Sequence, residues 1–205
     1  MNLPVPVQAR SVATRERLLD AAAAALIEKG LAGASTATIA AGAGVSQGAL
    51  FKHFPTKPDL LAAAVERILA GYVRDFQRGV DGELAKRHGD VVHSACAVLW
   101  RIFRDPGMRA VFEIYIAART DAELVRRLSP ILERHRAAIL AEARRLFPDV
   151  YVPNPDFDAA VDAVVYAMQG AAIGMFAPDE DDDVEHLAFL ERLARRELAG
   201  LLGER

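Results

Sequence analysis

An all-α fold follows from three observations on this 205-residue chain. No stretch alternates apolar and polar residues with the two-residue period of a half-buried strand. Apolar residues instead recur at three- and four-residue spacing from Leu18 almost to the end, the period of helices with one buried face. Hydrophobic residues make up 52 % of the chain, enough to give one or two domains a real core and too many for a disordered polymer.

The elements follow in order. Residues 1–13 hold Pro4, Pro6 and Arg10 but few large apolar groups, and read as a flexible arm. The first helix is expected from Thr14 to Lys29, with Leu18, Leu19, Ala22, Leu26 and Ile27 on its buried stripe and Gly30 as its stop. A short second helix follows, capped by Ser35, backed by Ile39 and Ala40, and weakened at Gly42. Gly44 supplies a turn, because a residue without Cβ takes positive φ at little cost. Val45 is the apolar pivot, and Ser46 caps a third helix running from Gln47 to Phe54. That helix must end before Pro55, since the residue preceding proline is pushed out of the α region. Thr56 then caps a fourth helix, with Asp59 as its capping-box partner and Pro58 in the first turn, where a missing N–H costs least.

The fourth helix is expected from Lys57 to about Gly79. After Gly82, turn signals at residues 87–89 and 105–107, at Thr120, and at residues 148–155 and 178–183 leave five more helices. The first of these, Val91 to Phe103, is apolar almost all round, as a central helix should be. The next, Pro106 to Arg119, carries Met108, Val111, Phe112 and Tyr115 on one side. A long helix capped by Thr120 and Glu123 follows and is interrupted at Ser129-Pro130, where a backbone donor is missing. The last two helices span roughly Asp156–Ala177 and Val184–Leu202.

Two short helices around a glycine-containing turn, the second presented end-on, make a helix-turn-helix. In such a unit the second helix enters the major groove with its N-terminal residues facing base edges. Gln47 is then the best base reader, since its amide pairs bidentately with adenine. Lys52 is placed to reach guanine or phosphate, Gly48 and Ala49 permit close approach, and the Ala49 methyl suits a thymine methyl. Gly42, Gly44 and Gly48 also spell G-x-G-x-x-x-G, but a dinucleotide loop should follow a buried strand and open a long helix. Neither condition holds, and that reading is rejected.

With Ile39-Ala40, Ala43-Gly44-Val45-Ser46, Gly48, Phe54 and Thr56-Lys57 at this spacing, residues 14–65 resemble the DNA-binding domain of the TetR (tetracycline-repressor-like) family. The resemblance implies an N-terminal three-helix DNA-binding domain over residues 14–56. It also implies a helical effector-binding and dimerisation domain over 57–205, entered through a connecting helix at 57–79. It assigns phosphate contacts to Ser35, Thr36, His53 and Lys57, which set register rather than sequence. Phe51 departs from the pattern, since the family commonly has a tyrosine there whose hydroxyl reaches phosphate. Ala37, Ala41 and Gly42 likewise replace positions often filled by polar residues, so the reading head is sparse.

Charge divides along the same line. Residues 1–60 hold six basic groups (Arg10, Arg15, Arg17, Lys29, Lys52, Lys57) and four acidic ones. That leaves 19 basic against 24 acidic for the rest of the 25 and 28 in the chain. The positive end favours phosphate and the remainder repels it.

The final two helices each have two apolar aspects. In the first, Ala163, Gly170 and Gly174 form a small-residue face opposite Val161, Val164, Val165 and Met168. In the second, Leu187, Leu190, Ala194 and Leu198 form a stripe, with Phe189 and Leu193 beside it. The set resembles the family's dimer interface, a four-helix bundle from the last two helices of each subunit. An aromatic and sulfur-rich set on the middle helices comprises Trp100, Phe103, Met108, Phe112, Tyr115, Tyr166, Met168, Met175 and Phe176. It fits the family's pocket for a small, often apolar effector, with Tyr115, His135 and Gln169 as polar specificity points and His93 as another. Taken one at a time, these side chains read equally as core.

The sole cysteine, Cys96, excludes an intramolecular disulfide and a cysteine-based zinc site and suits a reducing cytosol. No signal peptide is recognised, and the most apolar window, Ala159 to Ala177, is too polar for a membrane span. The acidic run at residues 179–183 lacks ligand spacing and reads as a solvated loop; no cofactor or metal is expected. The reading is a cytoplasmic, homodimeric repressor released from a palindromic operator by an effector. The alternative is an all-α enzyme or ligand-binding module that has lost DNA function. No G-x-S-x-G, H-E-x-x-H, C-x-x-C or P-loop pattern supports an enzyme.

Overall fold

The computed structural model describes residues 7–86, 90–151, 155–174 and 180–199. Among them every regular element is helical. The helices are α1 (Val7–Gly33), α2 (Thr36–Gly42), α3 (Gln47–His53), α4 (Lys57–Lys86), α5 (Val91–Phe103) and α6 (Pro106–Ala118). They continue as α7 (Ala122–Leu146), α8 (Pro148–Tyr151), α9 (Phe157–Gly174) and α10 (Glu180–Ala199).

Several expected boundaries shift, each for a local reason. The helix α1 begins at Val7, so residues 7–13 of the expected flexible arm are helical; residues 1–6 lie outside the described set. Gly30 does stop the first helix, with φ 64° and ψ −178°, but one further turn follows the break to Gly33. Ile27, placed on the buried stripe from sequence, is exposed. The connecting helix does not stop at Gly79 or Gly82 but runs on to Lys86. At Gly79 the missing Cβ has a packing use, because one built there would lie 2.9 Å from Val98 Cγ1 on α5. The α7 cap is Asp121, whose Oδ1 accepts the N–H groups of Glu123 and Leu124 at 3.0 Å, not Thr120, whose hydroxyl donates to the Ala117 carbonyl. Helix α7 also continues through Pro130. The Ser129 hydroxyl there donates to the Val125 carbonyl at 2.9 Å. Residues 180–183 are the first turn of α10 rather than a loop, whereas Met175, Phe176 and Asp179 lie outside the described residues.

The chain forms two compact units. The first holds residues 1–70 and 106–132, thus α1, α2, α3, the first half of α4, α6 and the start of α7. Its core is Leu18, Ala22, Leu26, Ile39, Leu50, Leu60, Val65, Val111 and Ile114, all fully buried. Each such large aliphatic group contributes about 1.5–3 kcal/mol. Within it α1 packs on both α2 and α6. The second unit holds residues 71–105 and 133–205, where α5, α9 and α10 pack pairwise around Val98, Trp100, Phe103, Phe157 and Met168. This division differs from the expected cut at residue 57: the unit carrying the helix-turn-helix also takes α6 and the first turns of α7.

Candidate nucleic-acid interface

The reading head is built by caps. Ser35 Oγ accepts the Thr38 N–H at 3.0 Å and Ser46 Oγ accepts the Ala49 N–H at 3.2 Å, so each short helix begins with one free donor satisfied. Between them Gly44 adopts φ 64°, the conformation expected of the turn. The Val45 N–H reaches back to the Ala40 carbonyl at 3.0 Å and closes the turn.

Helix α3 spans seven residues, too few to persist alone, and is held by what it buries. Leu50 is fully buried and Phe54 nearly so. Phe54 ends the helix in an extended conformation, φ −132° and ψ 97°, as Pro55 requires. Directly after it, Asp59 Oδ2 accepts from the Thr56 N–H at 3.1 Å and hydroxyl at 2.8 Å, and the Thr56 hydroxyl oxygen accepts the Asp59 N–H at 3.2 Å. The reciprocal box fixes where α4 starts and where Lys57 stands.

With Leu50 turned inward, the other face of α3 is open. Gln47, Gly48, Phe51 and Lys52 are exposed, and Ala49 and His53 half-buried. Ser35, Thr36 and Lys57 are half-buried at the flanking helix starts. The nine candidates therefore come together on the two short helices and the start of α4. The Ser35 hydroxyl is already engaged as a cap and lies 2.8 Å from Thr38 Oγ1. Phe51 leaves an apolar ring 43 % exposed on this surface, and Ala37, Ala41 and Gly42 are exposed too, which is the sparseness read from the sequence.

Two cations join this surface that sequence reasoning used only as charge. The Arg15 guanidinium stacks 5.2 Å over the Phe54 ring. Arg17 Nη1 lies 3.9 Å from where a Gly44 Cβ would be. Both sit on α1, Arg15 against the end of α3 and Arg17 against the turn. Their three-dimensional neighbours, not their spacing, reveal it.

The expected effector residues divide between the units. Met108, Phe112 and Tyr115 lie on α6 in the first, where Met108 and Phe112 are buried and Tyr115 is half-buried. Burial pushes the Tyr115 phenol well above its ordinary range. Trp100, Phe103, His135, Met168 and Gln169 lie in the second: Trp100, Phe103 and Met168 are core, His135 and Gln169 half-buried. Desolvation lowers the His135 pKa. Cys96 is buried and its thiol is pushed up to about 12, chiefly by desolvation, so it is an unreactive thiol. The second unit also holds a surface groove of about 450 Å³ between α4 and α5, lined by Tyr72, Asp75, Arg78, Gly79, Arg101, Ile102 and Asp105. It includes none of the expected effector residues.

The expected dimer residues also divide. Ala163, Gly170 and Gly174 are exposed on α9, and Tyr166 (60 %) and Ile173 (43 %) extend their stripe. A Cβ built at Gly170 or Gly174 meets nothing within 4 Å. On α10, by contrast, Leu190, Ala194 and Leu198 are buried within the chain itself, and Leu187 is half-buried. The open large apolar groups among the described residues of that helix are Val184 and Phe189. The end of α10 is tied to α5 by Arg195, which binds Asp90 Oδ2 and Glu191 Oε1 at 2.6 Å, while His93 Nδ1 lies 2.9 Å from Glu191.

Among the described residues no group of histidine, cysteine, aspartate and glutamate is placed to hold a metal, and no helix is long and apolar enough to cross a membrane.

The family model "Bacterial regulatory proteins, tetR family" matches residues 18–64. An uncharacterised HTH-type transcriptional regulator of Mycobacterium tuberculosis is 35 % identical over 166 residues, covering 81 % of this chain and 84 % of that protein. The HTH-type nicotine-responsive transcriptional repressor HdnoR of Paenarthrobacter nicotinovorans is 28 % identical over 177 residues, 83 % and 88 % of the two chains. Among solved structures, the multidrug binding protein EbrR complexed with imidazole superposes with a TM-score of 0.64 at 25 % identity, over 87 % of this chain and 93 % of that one.

Proposed function

Because this chain belongs to the tetR family of bacterial regulatory proteins, we propose that it is a homodimeric transcriptional repressor released from operator DNA by a small apolar or aromatic effector. Such a protein is a transcriptional regulator and not an enzyme. One observation carries the finer reading: the face of α3 bearing Gln47 and Lys52 is open, while Leu50 on the same helix is fully buried. A surface helix held by one apolar anchor, with its amide and amine side chains outward, has the form of a groove reader.

In this reading Gln47 is the base reader, with Lys52 and the Ala49 methyl beside it. Ser35, Thr36, His53 and Lys57 hold phosphates, joined by Arg15 and Arg17. The open stripe Ala163, Tyr166, Gly170 and Gly174 meets its counterpart on a second copy, with Phe189 and Leu187 of α10 at its side. Small residues let the two helices approach closely. The effector acts on α6 through Phe112, Tyr115 and Met108, an apolar set with one phenol to orient a ligand. HdnoR, named as nicotine-responsive, and EbrR, named as multidrug-binding, support a small organic effector.

The test is selection of duplexes from a random pool, followed by electrophoretic shift with DNA flanking the gene. An imperfect palindrome with half-sites one helical turn apart, about 34–36 Å, is expected of two reading heads in a symmetric dimer. Failure to enrich any sequence would favour the alternative, an all-α ligand-binding module whose sparse helix has lost its operator.

A further inference from the structure

Beside the packing of α6 on α1, two polar contacts of the 106–132 segment fall where the backbone around the reading head changes direction. The first is at Asp59. Its Oδ2 is occupied by the α4 capping box, and its Oδ1 forms an ion pair with Arg127 Nε on α7 at 2.8 Å. Arg127 is held by Glu123 one turn earlier, Nη2 to Oε1 at 3.0 Å. One carboxylate thus serves both the cap that follows α3 and a helix nearly 70 residues away in sequence. The second contact is at Leu31, just past the positive-φ break at Gly30. Its N–H donates to Glu113 Oε2 on α6 at 2.8 Å, and a Cβ at Gly30 would crowd that oxygen at 3.0 Å.

We propose that Arg127 and Glu113 are positioning residues for operator binding, holding from α7 and α6 the cap and the break that orient the helix-turn-helix. The proposal rests on the DNA-binding reading above. Helix α3 is too short to hold its own direction, and Phe54 and Pro55 behind it are extended, so its far end and Lys57 stand where the start of α4 places them. The Thr56–Asp59 box fixes that start only while the Asp59 carboxylate keeps its rotamer. Arg127 supplies the missing restraint by pairing one guanidinium nitrogen with the other oxygen and a second with Glu123. The Asp59 side chain is 20 % exposed and Arg127 46 %, so the pair is wet and its contribution small in each head. Glu113 acts likewise on the last turn of α1, giving an acceptor to the Leu31 N–H just past the break. Because α6 also carries Phe112 and Tyr115, a displacement of α6 is felt at Leu31 without passing along α4.

The experiment compares wild type, Arg127→Met, Arg127→Lys and Glu113→Ala on a duplex selected by the wild-type protein, over a salt series, with thermal melting of each. An exposed ion pair contributes up to about fivefold, so Arg127→Met should bind about fivefold weaker per head and up to about 25-fold weaker for a dimer. Its melting should shift by no more than about 4 °C. Arg127→Lys should recover part of the affinity, since it keeps the charge but replaces the two planar nitrogens that engage Asp59 and Glu123 with one ammonium. The slope of affinity against salt should stay as in wild type, because no phosphate contact is removed. Glu113→Ala should weaken binding with the same unchanged slope. Wild-type affinity in both Arg127→Met and Glu113→Ala overturns the proposal. So does a slope reduced by about one ion per head, which would make Arg127 itself a phosphate contact, or a loss that follows melting and that lysine does not restore. If the wild-type protein selects no duplex at all, the DNA-binding reading fails and takes this one with it.

Discussion

The Phe112 and Tyr115 rings meet edge to face on α6, with centroids 6.3 Å apart and planes at 61°. Phe112 is 6 % exposed, whereas Tyr115 is half-buried and no hydrogen bond ties its hydroxyl to the described residues. The pair offers an apolar wall with one unused polar atom.

That asymmetry decides which substitution tests the effector role. Truncating Phe112 to alanine would cost about 3–5 kcal/mol of stability and confuse folding with response. Phe112→Leu keeps most of the volume and should cost less than about 1.5 kcal/mol. Tyr115→Phe removes only the hydroxyl and should leave melting unchanged. Titrating aromatic compounds against the operator complex should show both variants releasing DNA at higher ligand concentration than wild type, with effector-free affinity intact. Unchanged release midpoints in both would make the pair plain core.

At the reading head, Gln47→Ala should relax preference at one base pair per half-site, a discrimination of roughly 1–3 kcal/mol. Lys57→Ala should instead weaken all sequences about equally and flatten the salt dependence by about one ion per head. Binding measured on a set of single-base operator variants separates the two. A uniform loss from both substitutions would remove Gln47 from the role of reader.

Gly174→Leu is the test of the dimer face. The position is helical with open space around it in the chain, so leucine should not harm the subunit and should even favour the helix. Between two copies the same side chain would overpack, at about 1–3 kcal/mol per subunit. Light scattering should show dissociation at micromolar protein without loss of helicity. A dimer that persists unaltered, in Gly170→Leu as well, would place the interface elsewhere.

His135 predicts a pH effect of known sign. Desolvation lowers its folded pKa below the ordinary 6.5, so the unfolded chain takes up a proton first as pH falls. Its contribution to stability is complete above about pH 6.5 and is lost as pH falls from there toward its depressed folded value. His135→Gln should therefore flatten urea-unfolding stability between pH 7 and pH 5 relative to wild type. An equally steep decline in the variant would assign the effect to other groups.

The helix-turn-helix was legible in the sequence because each of its signals is local. Ser35, Gly44, Ser46, Pro55, Thr56 and Asp59 act on backbone within three residues of themselves, and every one acts as expected. Where the same logic misplaced a boundary, a distant neighbour had intervened. Gly79 reads as a stop, yet α4 runs through it to Lys86, and the missing Cβ leaves room for Val98 of α5. On α10 the leucine stripe reads as a free face, yet Leu190, Ala194 and Leu198 are buried in the chain itself.

The helical class, the reading head and its caps were legible in residues a few positions apart, since periodicity and capping act over that range. That α6 and the start of α7 share a unit with that head is visible in the folded chain alone. Two polar contacts inside that unit, Glu113 to Leu31 and Arg127 to Asp59, join residues 82 and 68 positions apart. A carboxylate accepts any donor that the fold brings to it, and nothing in the neighbourhood of Glu113 or Arg127 along the chain marks which donor or acceptor that will be.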